Sequence, residues 1–248
     1  MEVIAIVNRK GGVGKTATAQ ALGAGLKRKG HDVLFIDLDS QTNLSFGAGA
    51  DPDGPDSMDV LTGTAAARDA IQHTPQGDII PGSEALAAAD AIIDGTGKEY
   101  RLKEALDGLR YDYVIVDTPA ALGTLTVNAL TAANCVIIPV QADIYSLQAI
   151  GQISQTVAAV RKYCNRDLDI AGILVTRYNG RAIISKDMLD NLEDMAAQLH
   201  TRVFNTRIRE CISMKEAQAS QQDIFTYAPR SNAAKDYSEF VDEFTTRG

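Results

Sequence analysis

The chain has 248 residues, 45% of them hydrophobic, which suits one compact α/β domain with a sizeable core. Its net charge of −8 excludes bulk attraction to nucleic acid or anionic membrane, so any such contact needs a local basic patch. Residues 1–160 hold 11 Lys and Arg against 19 Asp and Glu, while residues 161–248 hold 13 of each, which places such a patch in the carboxyl-terminal third.

Cys135, Cys164 and Cys211 show no C-x-x-C spacing, which argues against a zinc or redox centre and suits a reducing cytosol. Met1 to Val7 lack the charged start and cleavage region of a signal peptide, and no apolar run reaches membrane-spanning length.

In chain order, Val3 to Val7 is a continuous apolar run, the pattern of a strand buried on both faces. A glycine-rich loop follows, then a helix over Lys15 to Lys29, stopped by Gly30 with cations in its last turn. Val33 to Asp37 is a second buried strand. This βαβ opening implies a parallel sheet. Residues 47–58, rich in Gly, Asp and Pro, read as a surface loop. Ile79-Ile80-Pro81 ends a short strand, and Leu86 to Ile93 and Tyr100 to Leu109 read as helices. Strands follow at Tyr113 to Asp117, Cys135 to Val140 and Ile170 to Thr176. Helices are expected over Ser146 to Tyr163, Ser185 to Leu199 and Ala233 to Phe244, with Ile224 and Phe225 in a short extended piece. No repeat or linker divides the chain, and residues 1–248 are expected to form a single domain.

The chemistry concentrates in Lys10-Gly11-Gly12-Val13-Gly14-Lys15-Thr16, set between a strand and a helix. Backbone N–H groups along such a loop can curl around a β-phosphate, because glycines allow the approach and the required φ values. The helix amino terminus adds positive field. Lys15 is placed to neutralise β- and γ-phosphate charge, and the Thr16 hydroxyl to meet Mg²⁺, which takes few protein ligands. Asp37, Asp39 and Asp117 stand at strand carboxyl ends, where ligands of open parallel sheets bind.

The loop carries a second lysine, Lys10, which an ordinary G-x-x-x-x-G-K-[ST] loop does not require. In this it resembles the deviant Walker A ATPases, the ParA/Soj and MinD superfamily. The likeness to ParA/Soj extends through Asp78-Ile79-Ile80-Pro81, Asp112 to Pro119, Leu122 to Leu130, Val136 to Gln141 and Tyr227-Ala228-Pro229-Arg230-Ser231. It implies a three-layer P-loop NTPase fold, a mostly parallel twisted sheet with helices on both faces. It implies ATP/ADP and Mg²⁺ as ligands, held by Lys10, Gly11, Gly12, Val13, Gly14, Lys15, Thr16 and Ala17. Lys10, Lys15 and Asp39 would be the catalytic residues. Lys10 would reach across an ATP-sandwich homodimer like an arginine finger, Asp39 would orient the attacking water, and Thr16, Asp39 and Asp117 would serve the metal. Asp37 would help hold the site near Mg²⁺.

The family pattern L-I-D-x-D-P-Q has Ser40 in place of its proline, and Pro-Pro after the Walker B acid is here Pro119-Ala120. The family segment I-P-R-N-V-R-L-S-E-A-P aligns with Ile208 to Gln218, so the main chain at Arg209 and Cys211 is expected at the adenine, with Thr176 and Arg177 nearby. The DNA-contacting arginine of that segment is here Ser213, leaving Arg202, Arg207, Arg209, Lys215, Arg181 and Lys186 as a substitute patch for non-specific DNA.

The resemblance implies a cytoplasmic ATPase of plasmid or chromosome partition, nucleoid-associated in its ATP state and stimulated by a ParB-like partner. The loop begins within ten residues of the start, so no amino-terminal helix-turn-helix domain is expected. The alternatives are a MinD-like membrane-associated ATPase and a P-loop metabolic or iron–sulfur enzyme. The first needs a basic amphipathic tail, whereas the last helix sets Asp236, Glu239, Asp242 and Glu243 opposite Tyr237, Phe240, Val241 and Phe244 and is expected to dock on the core. The second needs a small-molecule pocket, or paired cysteines for a cluster.

Overall fold

The computed structural model describes residues 1–179 and 184–246. Among the described residues eight strands form one sheet: β1 (Glu2–Ile6), β2 (Val33–Asp37), β3 (Gln72–Thr74), β4 (Gly77–Ile80), β5 (Tyr113–Asp117), β6 (Cys135–Gln141), β7 (Asp169–Tyr178) and β8 (Val203–Arg209). Their order is β3-β4-β2-β5-β1-β6-β7-β8. Every neighbouring pair is parallel except β3 with β4.

The helices are α1 (Lys15–Arg28), α2 (Asn43–Ala48), α3 (Ser57–Thr62), α4 (Ala67–Ala70), α5 (Ala89–Ile92), α6 (Arg101–Ala105), α7 (Thr124–Ala132), α8 (Ile144–Tyr163), α9 (Ile184–Gln198), α10 (Ser213–Ala219), α11 (Ile224–Tyr227) and α12 (Asn232–Thr245).

Side-chain alternation along the central strands feeds two cores. Val3, Ala5, Leu34, Ile36, Val114 and Val116 face one, and Ile4, Ile6, Val33, Phe35 and Ile115 face the other. Buried residues of α3, α5, α6, α7, α8 and α9 cover the first face, and those of α1, α2, α11 and α12 the second. Strands apolar on both sides therefore sit between two helical layers, as the apolar runs predict. The architecture is the expected three-layer α/β fold.

Helix α1 ends one residue before the predicted stop. Gly30 at φ 90° lets Gly30 N–H bond Lys27 O and His31 N–H bond Leu26 O, the paired closure of a left-handed C-terminal turn.

Several expectations need correction. The predicted helix Leu86 to Ile93 is a 3₁₀ turn, Glu84–Ala88, followed by the single turn α5, and Tyr100 to Leu109 narrows to α6 after another 3₁₀ turn. The loop 47–58 is shorter than expected, because α2 runs into it and α3 starts at Ser57. There the carboxylate of Asp56 accepts from Met58 N–H and Asp59 N–H in a reciprocal capping box. Ile224 and Phe225 are helical, because the Asp223 carboxylate accepts from the N–H groups of Phe225 and Thr226 and starts α11.

The last helix does dock on the core: Ala233, Ala234, Tyr237, Phe240, Val241 and Phe244 are buried. Its acidic face is not uniformly outward, however. Asp236 is buried, and Glu243 accepts from Asn205 N–H, Thr206 N–H and the Thr206 hydroxyl on β8.

Candidate functional site

Strand β1 lies between β5 and β6, where the order of connections reverses, and the loop leaving its carboxyl end opens into the crevice that this arrangement creates. The chain turns through Gly12 at φ 75° and Gly14 at φ 88°, values that glycine adopts without strain. At Gly11 and Gly12 nothing lies within 4 Å of where a Cβ would stand, so this edge of the loop faces open space. Gly14 begins α1 with no side-chain cap, and the first turn contains no acid. The amino end of the helix thus directs its donors and positive field outward. Lys15, in its first turn, is only 7% exposed.

A cavity of about 710 Å³ opens there. Gly11, Gly12, Gly14, Lys15, Thr16 and Ala17 form one part of its wall, and Asp39 another. Thr176, Arg177, Arg209 and Cys211 are among the residues that line the remainder. Val13 contributes differently: its side chain is fully buried, and its carbonyl accepts from the Thr176 hydroxyl at 2.7 Å. Arg177, at φ 49°, ion-pairs with Glu210 and donates to Gly12 O at 3.4 Å, joining the strand end to the loop.

The acids divide in their environments. Asp117 is fully buried behind Thr16, whose hydroxyl donates to Asp117 Oδ2 at 2.6 Å. Its Oδ1 is buried with no hydrogen-bond partner among the described residues. Burial first, and the neighbouring Asp37 second, push its carboxyl up to about 8. Asp37 is turned onto Ser45, accepting from its N–H at 2.9 Å and its hydroxyl at 2.7 Å, while Oδ1 accepts from Asp39 N–H. Burial raises the Asp37 carboxyl as well, against these hydrogen bonds. Gly82 N–H donates to Ser45 Oγ, and a Cβ at Gly82 would stand 3.0 Å from Asp37 O and 3.1 Å from Asp39 O. Asp39 thus sits on a tightly packed turn, with its carboxylate accepting from Gln41 N–H.

This donor set fits a magnesium ion carried with a polyphosphate. A buried carboxylate with an unpartnered oxygen, set behind a threonine hydroxyl, gains from a nearby cation, and Mg²⁺ takes few protein ligands.

Lys10 does not line this cavity. Its ammonium is paired with Asp143, the cap of α8, and donates to Gln141 Oε1 at 3.3 Å. Its N–H donates to Asn8 Oδ1, and Asn8 in turn donates to Pro139 O. Burial opposes charge on Asp143, but Lys10 and the Ser146 donors overcome it and hold the carboxyl below its ordinary range. Gln141 also donates to Gly12 O at 3.1 Å, fastening the glycine loop to β6. Sequence reasoning missed Gln141, Asp143 and Ser45, although Gln141 ends a legible apolar strand.

A family model described as an AAA domain matches residues 1–170. The chain is 37% identical to the sporulation initiation inhibitor protein Soj of Bacillus subtilis, across 100% of this chain and 99% of that protein. It is 34% identical to the chromosome partitioning protein ParA of Caulobacter vibrioides, across 100% of this chain and 95% of that one. The chain belongs to the ParA/Soj family. Among solved structures, it resembles one described as cobyrinic acid a,c-diamide synthase from Mycobacterium smegmatis with bound ATP analogue and magnesium. That likeness has a TM-score of 0.83 and 36% identity, covering 98% of this chain and 93% of the other.

Several cations of the expected substitute basic patch have contacts of their own in this ParA/Soj chain. Arg209 is engaged by Asp236, and Lys215 lines the cavity. Arg202 stacks on Phe204 and Arg207 on Tyr178, each guanidinium about 5 Å from the ring centre. Arg181 lies outside the described residues, as does the side chain of Lys186. Among the described residues no helix is long and apolar enough to cross a membrane.

Proposed function

We propose that the chain is a magnesium- and ATP-dependent switch of the ParA/Soj type, a single-domain ATPase acting in partition of plasmid or chromosomal DNA. The observation that carries this reading is the uncapped, glycine-bounded amino end of α1 opening on the cavity, with Lys15 beside it and the Thr16–Asp117 pair behind it. Supporting it are the family membership and the bound ATP analogue and magnesium of the structural relative.

In this reading the N–H groups of residues 11–16 and Ala17 hold the phosphates, and Lys15 neutralises them. The main chain near Arg209 and Cys211, with Thr176 and Arg177, holds the base. A bound magnesium ion would supply Lewis-acid stabilisation of developing phosphate charge. Thr16 supplies a hydroxyl to it, with Asp117 behind, while Asp39 orients the attacking water within a closed homodimer. Lys10 leaves Asp143 and reaches the partner's phosphates. The ATP-bound dimer holds DNA without sequence preference, through phosphate contacts that carry no base code. A ParB-like partner stimulates hydrolysis and release, and the protein is cytoplasmic and nucleoid-associated in its ATP state.

Calorimetry with MgATP and MgADP tests the base of this reading, with Lys15→Ala expected to lose at least roughly thirtyfold in affinity. Absence of nucleotide uptake by the parent protein overturns it. DNA retention that requires ATP and falls steeply with salt tests the partition role. A metabolic reading is kept in view by the structural relative described as a synthase. Turnover that yields an organic amide product and ignores DNA would favour that rival.

A further inference from the structure

A carboxylate from α12 grips the cavity wall contributed by the end of β8. Asp236 is 4% exposed. Its Oδ2 accepts from Arg209 N–H at 2.9 Å and from Arg209 Nε at 2.9 Å, and its Oδ1 accepts from Arg209 Nη2 at 2.5 Å. The same carboxylate therefore grips both the main chain and the side chain of one cavity-lining residue. Paired parallel donors fix orientation as well as distance.

The next residue reaches the other side of the cavity. Tyr237 is fully buried, and its hydroxyl lies 3.2 Å from the Thr18 hydroxyl on α1. Burial, opposed by this bond, pushes the phenol up to about 12, so it stays neutral. Two consecutive residues of α12 thus tie the β8 end to the helix that begins at the glycine loop. At the β8 end, a proline would fix φ and lack an N–H donor. Arg209 instead has an N–H, and Asp236 takes both the N–H and the guanidinium.

We infer that Asp236 is a positioning residue for nucleotide-base recognition, clamping the Arg209 end of β8 so that its main chain meets the base at a fixed height above the phosphate loop. This rests on the nucleotide-binding reading given above. The clamp's own bonds fall at the base end of the ligand: Asp236 grips Arg209, and among the described residues no hydrogen bond joins Asp236 to Lys15 or the glycine turn.

The test compares ADP with inorganic pyrophosphate, both with magnesium, by calorimetry on the full chain. Asp236→Asn keeps the shape and removes the charge. It is expected to weaken ADP about tenfold, the scale of lost charge-assisted hydrogen bonds, and to leave pyrophosphate unchanged. Arg209→Ala deletes two of the three bonds and is expected to move the same ratio in the same direction, and it carries the test should Asp236→Asn not fold. Glu243→Gln loosens β8 from the same helix but farther from the cavity, so it reports merely structural slackening. It is expected to lower the melting temperature and leave the ADP-to-pyrophosphate ratio unmoved. Equal losses for both ligands, an unmoved ratio in both clamp variants, or a ratio that moves as far in Glu243→Gln overturns the inference. A parent protein that binds neither ligand sinks the nucleotide-binding reading instead.

Discussion

Asp39 owes its place to neighbours that do not touch the cavity. Asp37 accepts from its N–H, Ser45 holds Asp37 by two bonds, and Gly82 leaves no room for a side chain against either acid's carbonyl. In the proposed reaction Asp39 acts on the water rather than on the nucleotide. Asp39→Ala is therefore expected to retain MgATP binding within a few-fold while turnover falls roughly a hundredfold or more. Phosphate release assayed beside calorimetry checks both halves, and normal turnover would move the water-orienting role to another group. At this scale the sequence was partly legible. The glycine loop, Lys15, Thr16 and the strand-end acids could be placed because their roles follow from local spacing. The partners of Lys10, Asp37 and Arg209 could not, because Asp143 lies 133 residues from Lys10, and Asp236 and Ser45 come from helices whose inward turns no local pattern records.

Among the elements, α1 and α12 meet with glycine at the contact. A Cβ on Gly25 would stand 2.5 Å from Val241 Cγ2. Gly25→Ala gains about 1 kcal/mol of helix propensity but overpacks at a cost of about 1–3 kcal/mol. The second effect is expected to win, with a lower melting temperature as the readout. Edge strand β8 depends on α12 in another way. Burial opposes the charge of Glu243, but the N–H groups of Asn205 and Thr206 and the Thr206 hydroxyl bring its carboxyl below the usual 4.5. A depressed folded value means that this contribution is complete above 4.5 and is lost as pH falls through the lower folded value. Amide exchange at Asn205 and Thr206 is expected to speed up in that acid window, beyond the change at central β1, and Glu243→Gln to remove the difference. Strand β8 escaped sequence reading for the same reason: Val203-Phe204-Asn205-Thr206-Arg207-Ile208-Arg209 mixes polar and apolar residues at a sheet edge. Central strands β1, β2, β5 and β6 were legible because both their faces are buried. Helix α7 hid behind threonines and a valine that carry little helical signal, although Thr126, Asn128 and Thr131 are buried in it.

For the whole molecule, a net charge of −8 gives no bulk attraction to DNA, so the proposed DNA hold would have to come from a local cluster of cations. In the proposed assembly Lys10→Ala should bind ADP as the parent does but stay monomeric with MgATP, as read by light scattering. A normal dimer from this variant would remove Lys10 from the interface.

The Lys10–Asp143 pair has one further consequence for such an assembly. Each protomer already neutralises its own reaching cation at home, so closure trades one charge contact for another instead of adding one. Dissolved ions weaken both sides of that trade in similar measure. Pairing of protomers should then tolerate added salt far better than their hold on DNA, and the two steps should come apart along a salt titration.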